Sequence, residues 1–428
     1  MYSDSDGVPM NLIILNSDEM RADALACLGN PDVKTPNLDA LAERGVLFTR
    51  HYTNHGKCVP SRIAMMTGRY THTDGYRTIH QHMPSDQPDV GKLLKSKSYQ
   101  TAVFGKNHCW EDFFEEFADW HSWKDVYEDI IDAWHERTEK EDEQIPQAKR
   151  FNREGPVPHT GCEHSFPDEA YADQAIHFLT QGRDRSRPFF LQVNLEQPHP
   201  PYRVEEPWFS MYDRDAIEHY PHDLPENAPM HLALQRKIRT GMDVPEQTLR
   251  ELQAIYYGMV SKVDHEIGRI VEVIDREGLW DDTMVMFWVD HGDFAGQYGL
   301  HEKWDTAFNE CIMHVPMMMV HPDLPRGRRV EGLTETVDVA PTLLDLMGHE
   351  RIPGIHGESL LPIVAGERRK EAVFADGGHE QEMLDRVSGP YERELETGAT
   401  KRIDKHETYV KHPETMARAK MLFDGLYK

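Results

Sequence analysis

Cys58-Val59-Pro60-Ser61-Arg62 places a nucleophile-forming residue and a fixed cation within one helical turn. A turn-like run, Thr53-Asn54-His55-Gly56-Lys57, precedes it, and an apolar run, Ile63-Ala64-Met65-Met66, follows. The cysteine therefore stands where a loop enters a helix, with Pro60 in the first turn, where a missing N–H costs nothing. Free N–H groups and the helix dipole at such an end favour a bound anion. Arg62 can fold back over the Cys58 side chain and offer a rigid fork of donors. By itself, the stretch also describes a buried thiol beside a surface arginine. The rest of the chain weighs against that plainer reading.

The elements that must position such a site are legible as short apolar runs. Residues 10–16, 100–104, 189–195 and 284–289 read as buried strands. Each is followed by a group that can do chemistry: Asp18-Glu19, Lys106, His199 and Asp290-His291. Amphipathic stretches at 168–181 and 247–277 read as helices, and Thr35-Pro36-Asn37-Leu38-Asp39 as a capped helix start. Strands alternating with helices predict an α/β fold, a large mostly parallel or mixed sheet sandwiched by helices. Ligand sites in such sheets lie at the carboxyl ends of the strands. Asp18, Asp290 and His291 are hard or borderline ligands from two of those ends. A divalent cation there would offset their charge and polarise an anionic ester oxygen. Asp18 and Glu19 as helix-capping acids is the competing reading.

The pentapeptide resembles the C-x-P-x-R signature of the type I sulfatases, in the alkaline phosphatase superfamily. The resemblance continues in order through Asp18-Glu19, Gly105-Lys106-Asn107-His108, Pro198-His199 and Asp290-His291-Gly292-Asp293 to Lys303, covering roughly residues 10 to 365. It implies an alkaline phosphatase-like fold and oxidation of Cys58 to formylglycine by a maturation enzyme, the hydrated aldehyde being the nucleophile. Asp18, Glu19, Asp290, His291 and modified Cys58 would be metal ligands. Glu19 stands where the family often has aspartate. With His291 in place of asparagine, this leaves Ca2+ favoured and Mn2+ open. Lys106 would bind sulfate oxygens beside Arg62. His108 would steer the proton of the hydrated aldehyde, and His199 and Lys303 would serve the leaving group. A thiol nucleophile of the cysteine phosphatase kind would need C-x5-R, whereas the spacing here is C-x3-R.

With 428 residues the chain can bury a large core, and 39% hydrophobic with 28% charged residues is ordinary for a globular protein. The net charge of −27 argues against a nucleic-acid partner. An anionic substrate must then be drawn in by a local basic cluster. Five dispersed cysteines, Cys27, Cys58, Cys109, Cys162 and Cys311, read as reduced thiols apart from Cys58. No run is long and apolar enough for a membrane span, and the N-terminus lacks signal-peptide character. The chain as written reads as cytoplasmic, or as periplasmic or secreted with a leader removed.

Residues 1–370 read as the catalytic domain and 371–428 as a small, incomplete C-terminal subdomain, with strand candidates at 372–375 and 421–428. Two insertions, 109–165 and 203–246, are candidates for shaping a pocket or for covering the sheet or an oligomer interface. Tyr76, Arg77, His80, Trp110, Asp376 and His379 are further residues that could reach a substrate, Trp110 by stacking on a ring. The expected function is hydrolysis of a sulfate ester of a carbohydrate or phenol. A phosphonate monoester or phosphodiester hydrolase with the same nucleophile is the alternative. The expected partners are a small sulfated, saccharide-like substrate and the maturation enzyme. A homo-oligomer is compatible with the sequence.

Overall fold

Four apolar runs become four neighbouring parallel strands. The structure is a computed structural model and describes residues 9–79, 81–111, 117–121, 151–152, 155–156, 167–230, 232–233, 236, 244–303 and 307–377. In chain order the elements that frame the site are β1 (Asn11–Asp18), α1 (Pro36–Arg44), β2 (Val46–Phe48), α2 (Cys58–Thr67), α3 (Val90–Ser96), β3 (Gln100–Gly105), β4 (Trp120–His121), α4 (Asp168–His177), β5 (Phe189–Pro198), α5 (Glu246–Arg276), β6 (Thr283–Val289), β7 (Met317–Val320), β8 (Arg328–Val330) and α6 (Val339–Leu346). The eight-stranded sheet runs β8-β2-β7-β6-β1-β5-β3-β4. Only β7 is antiparallel to its neighbours, so the sheet is mixed and mostly parallel, as predicted.

Every residue of β1 is buried, which is what a strand covered on both faces requires. Its side chains alternate between two cores. Ile13 and Leu15 pack with α1, α4 and the 31-residue α5. Leu12 and Ile14 pack with α2, α3 and α6. Helices thus close both faces of the sheet.

Three local expectations change. The strand expected at 189–195 runs on to Pro198, because Asp18 still pairs opposite Pro198 after a register shift at Ser17/Asp18. Thr35 does not cap α1. Its hydroxyl accepts from the Ala26 N–H at 3.1 Å, and the Asp264 carboxylate on α5 accepts from the Leu38 N–H at 2.7 Å instead. Burial pushes the Asp264 carboxyl up to about 6. Residues 372–375 form no strand. One bridge, His55 to Asp376, a bond from the Asn54 side chain to the Phe374 carbonyl and one from the Asp376 N–H to the Asn54 carbonyl dock that segment beside the loop before α2. The rest of 371–428, including 421–428, lies outside the described residues, as does most of the 109–165 insertion. Among the described residues no helix is long and apolar enough to cross a membrane.

The four strands β6-β1-β5-β3 end on one edge of the sheet. Their ends carry Asp290, Asp18, His199 and Lys106. Gly105 makes the exit from β3 possible. It has φ +88°, and a Cβ there would lie 2.0 Å from the Asn194 carbonyl oxygen. That carbonyl also accepts the Lys106 N–H at 3.1 Å. Gly105→Ala should therefore cost about 2–4 kcal/mol of stability through strain and overlap. It should also lower activity by displacing Lys106. Thermal unfolding together with turnover of the folded fraction checks this, and an unchanged Tm would contradict it.

Candidate active site

Helix α2 starts at Cys58, and Lys57 before it provides no side-chain cap. Cys58 is 2% exposed, with its Sγ 3.2 Å from His291 Nε2. Burial and Asp18 push the thiol up, but Lys303, His291 and Lys106 outweigh them and bring it down to about 6. Ser61 fixes the helix to the sheet by donating its hydroxyl to the Asp290 carbonyl at 2.7 Å.

Arg62 does not turn primarily to Cys58. Its Nε donates to Asp290 Oδ2 at 2.8 Å and its Nη1 to the Lys106 carbonyl at 3.2 Å. Its Nη2 lies 3.4 Å from Asp18 Oδ2. One guanidinium so ties together the ends of β6, β1 and β3. Burial opposes its charge, but Asp290 and Asp18 more than compensate and hold it protonated.

Donor atoms of Asp18, Cys58, Asp290 and His291 all lie within 4.8 Å of one another. Asp290 Oδ1 accepts the Glu19 N–H at 3.2 Å and the His291 N–H at 3.0 Å. His291 Nδ1 lies 3.0 Å from the Gly292 carbonyl, an obligate acceptor, so Nδ1 carries a proton, and Nε2 faces Cys58 as the nitrogen that would bind a cation. Burial opposes the imidazolium, but Asp290 and Cys58 outweigh it and raise the His291 pKa, so binding a cation at Nε2 would displace a proton. Lys106 Nζ is 2.5 Å from Asp18 Oδ2, yet neither Asp18 oxygen accepts an aligned hydrogen bond. Burial alone would raise the Asp18 carboxyl. Lys106, His199, Arg62 and His291 hold it well below its ordinary value. Asp290 is raised, by burial first and then by Asp18. Two buried carboxylates, an imidazole nitrogen and the residue-58 side chain fit a hard divalent cation, which would satisfy the Asp18 oxygens left open among the described residues.

Glu19 faces elsewhere. It has φ +70°, a strained conformation for a glutamate, and the Tyr256 hydroxyl donates to its carbonyl at 2.9 Å. Its carboxylate lies 2.6 Å from Lys303 Nζ and 3.5 Å from His199 Nε2. It groups with Asp18 and His199, not with Cys58, Asp290 and His291. Lys303 Nζ in turn is 2.6 Å from His199 Nε2. His108 lies beside the His82 ring, 6.2 Å between centroids, and its buried Nδ1 has no hydrogen-bond partner among the described residues. Burial first, then Lys106 and Arg62, keep it neutral.

The sequence-predicted residues therefore converge, but the less specific candidates divide. Trp110 is not a stacking platform. It is 2% exposed, packs 5.1 Å from the Phe117 ring and donates to Asp89 at 3.1 Å. Tyr76 is also buried, in the core under α2 and α3. Arg77 is half-buried, and Asp376 pairs with His72 at 3.0 Å. His80 and His379 lie outside the described residues. Sequence reasoning missed Tyr202. Its hydroxyl donates to both Asp293 oxygens at 2.8 Å and accepts the Glu302 N–H at 2.8 Å, next to Lys303. Its place just after Pro198-His199 was the available signal.

Over residues 10–349 the chain matches the family described as Sulfatase. The chain belongs to the sulfatase family. It is a sulfuric ester hydrolase of the alkaline phosphatase superfamily, whose sulfatases generally use a metal ion and formylglycine. The choline-sulfatase of Rhizobium meliloti is 28% identical over 397 residues, covering 86% of this chain and 73% of that protein. The multifunctional alkaline phosphatase superfamily protein PehA of Trinickia caryophylli is 27% identical over 410 residues, covering 83% and 77%. The crystal structure of the phosphonate monoester hydrolase of Agrobacterium radiobacter superimposes with TM-score 0.70 at 23% identity, covering 88% of this chain and 82% of that one. That likeness shows a shared fold.

Because Arg62 is the buried partner of Asp290, Arg62→Met should strand a carboxylate. The expected loss is about 3–5 kcal/mol in the metal-free protein. Denaturation after chelation measures it, and a loss below about 1 kcal/mol would mean the pair is not a structural tie.

Proposed function

We propose that this sulfatase hydrolyses a small sulfate monoester of a sugar, alkyl alcohol or phenol at the junction of Asp18, Cys58, Asp290 and His291. The observation that carries this reading is the placement of Cys58. It opens a buried helix within reach of three potential metal ligands, with Lys106, Lys303 and Arg62 around it. Asp18, Asp290 and His291 would hold one divalent cation, Ca2+ by the weight of carboxylate donors, which would polarise an ester oxygen. Oxidation of Cys58 to formylglycine would supply the nucleophile.

The chain's own groups then divide the work. Lys106, anchored at Asp18, presents its ammonium to the non-bridging sulfate oxygens. Arg62 fixes the two metal-facing carboxylates and through them the geometry of position 58. Neutral His108 offers a proton-accepting or proton-donating nitrogen beside Lys106. The His199–Lys303 pair faces the bridging oxygen, with Lys303 Nζ donating to Glu19 Oε2 at 2.6 Å. Glu19 acts there as the hydrogen-bond partner of Lys303, and its place as a metal ligand is the weaker assignment.

A phosphonate monoester or phosphodiester hydrolase is the second reading. Both substrate classes are singly charged tetrahedral esters, so the same cations would serve either. Glu19, where the sulfatase family often has aspartate, is the observation behind it. Parallel kcat/KM values on an aryl sulfate and a phosphonate monoester decide between them.

Protein made with the maturation enzyme should carry an aldehyde at position 58, detectable by hydrazide labelling. Cys58→Ala should abolish turnover with the fold intact. Metal analysis should give about one ion per chain, as a single ligand set implies, and Asp290→Asn should lower both metal content and activity. Full activity with an unmodified thiol, or after exhaustive chelation, would overturn the reading.

The leaving-group assignment has its own test. An aryl sulfate departs as a stable phenolate, whereas a sugar or alkyl sulfate needs a proton. His199→Ala should cost about 100-fold or more on sugar or alkyl sulfates and much less on activated aryl sulfates. Lys106→Ala should cost on the order of 100-fold on both. Identical profiles for the two variants would refute the division of roles.

A further inference from the structure

We infer that Asp168 is a positioning residue for the leaving-group end of the site, acting through the turn that carries His199. Asp168 is the first residue of α4 and is 0% exposed. Acidic residues are common at helix starts, where they serve their own helix. This one does not. The residue before α4 makes no side-chain cap, and both Asp168 oxygens are directed at another segment. Oδ1 accepts the Glu196 N–H at 2.8 Å and Oδ2 accepts the Gln197 N–H at 2.9 Å.

Those two amides open the turn that ends in His199, which closes with the His199 N–H on the Glu196 carbonyl at 3.0 Å. A second tie reaches the same turn from the metal side. The Ser17 hydroxyl, one residue before Asp18, donates to the Gln197 carbonyl at 2.7 Å. From this turn His199 Nε2 reaches Lys303 Nζ at 2.6 Å. The arrangement is costly. Burial pushes the Asp168 carboxyl up to about 7 despite the two amide donors. A carboxylate is needed because an asparagine has one acceptor oxygen and would aim an N–H2 at the second amide. Asp168 thus clamps two successive peptide groups, and the clamp sets the reach of His199.

The inference rests on the reading that His199 and Lys303 serve the leaving group. The experiment uses matured, metal-loaded, full-length protein. Asp168→Asn, Ser17→Ala, His199→Ala and the double variant Asp168→Asn/His199→Ala are compared on an activated aryl sulfate and a sugar or alkyl sulfate. Metal content and Tm are recorded for each. Asp168→Asn should lower kcat on the sugar or alkyl sulfate by about 10- to 100-fold, the scale of a small misplacement. On the aryl sulfate it should lower kcat by less than about 3-fold, since proton donation matters little there. The double variant should be no slower than His199→Ala on the sugar or alkyl sulfate, because both changes remove one function. Ser17→Ala should shift the same ratio by a smaller factor, and it carries the test if Asp168→Asn does not fold. Equal losses on both substrates, or additive losses in the double variant, would overturn the inference. If His199→Ala itself shows no dependence on the leaving group, the functional reading beneath it fails instead, and the same panel reveals that.

Discussion

Two carboxylates, Asp18 and Asp290, buried side by side at the ends of β1 and β6, set the conditions for everything around them. Neither is exposed, and each makes ionisation of the other harder. Such a pair persists only with opposite charge at close range. Arg62 supplies one cation to both, and Lys106 supplies another to Asp18. The helix that brings Arg62 also brings Cys58, and Ser61 between them bonds to the Asp290 backbone. Placing Cys58 and neutralising the two buried carboxylates are therefore one packing event. The remaining open oxygens of Asp18 are what a divalent cation would satisfy.

A second charge cluster sits beside the first and behaves differently. Glu19 and Lys303 face each other, with His199 against Lys303 and Asp293 and Tyr202 behind. Burial raises the Glu19 carboxyl, and Lys303 opposes this only in part. The two clusters share Asp18, and in the proposed reaction one would hold the ester oxygens and the other would serve the departing group. The chain as a whole carries a net charge of −27. Attraction of an anionic ester must therefore come from these few inward cations, where the low dielectric makes each one count.

The parts of the site are tied to distant segments that already pack. Tyr256 on α5 holds the strained Glu19 backbone, Tyr202 holds Glu302 beside Lys303, and Asp168 on α4 holds the turn before His199. Each is a buried donor or acceptor satisfied by backbone, so each loses more by moving than a surface contact would. The C-terminal segment around Asp376 docks against Asn54 and His55, which places it just before the Cys58 helix.

The sequence by itself determined the strands, the start of α2 and the order of the ionisable groups along the sheet edge. These follow from neighbouring residues: apolar runs that must be covered, a proline in a first turn, and a polar residue where each strand stops. Cys58, Asp18, Asp290, His291, Lys106 and His199 were legible for that reason, whereas Lys303, which follows no strand, was legible only through the resemblance to the sulfatases. Only the tertiary structure decided which partner each side chain takes. Arg62 serves Asp290 and Asp18 and is not folded mainly over Cys58, because two buried carboxylates outcompete one thiol. Asp264 caps α1 in place of Thr35, and Trp110 fills the core instead of facing a substrate. Glu19 turns to Lys303, and Asp168 reaches Glu196 and Gln197. In all of these, packing brings together groups that lie far apart in the chain, and burial makes the pairing obligatory. No local pattern records that distance.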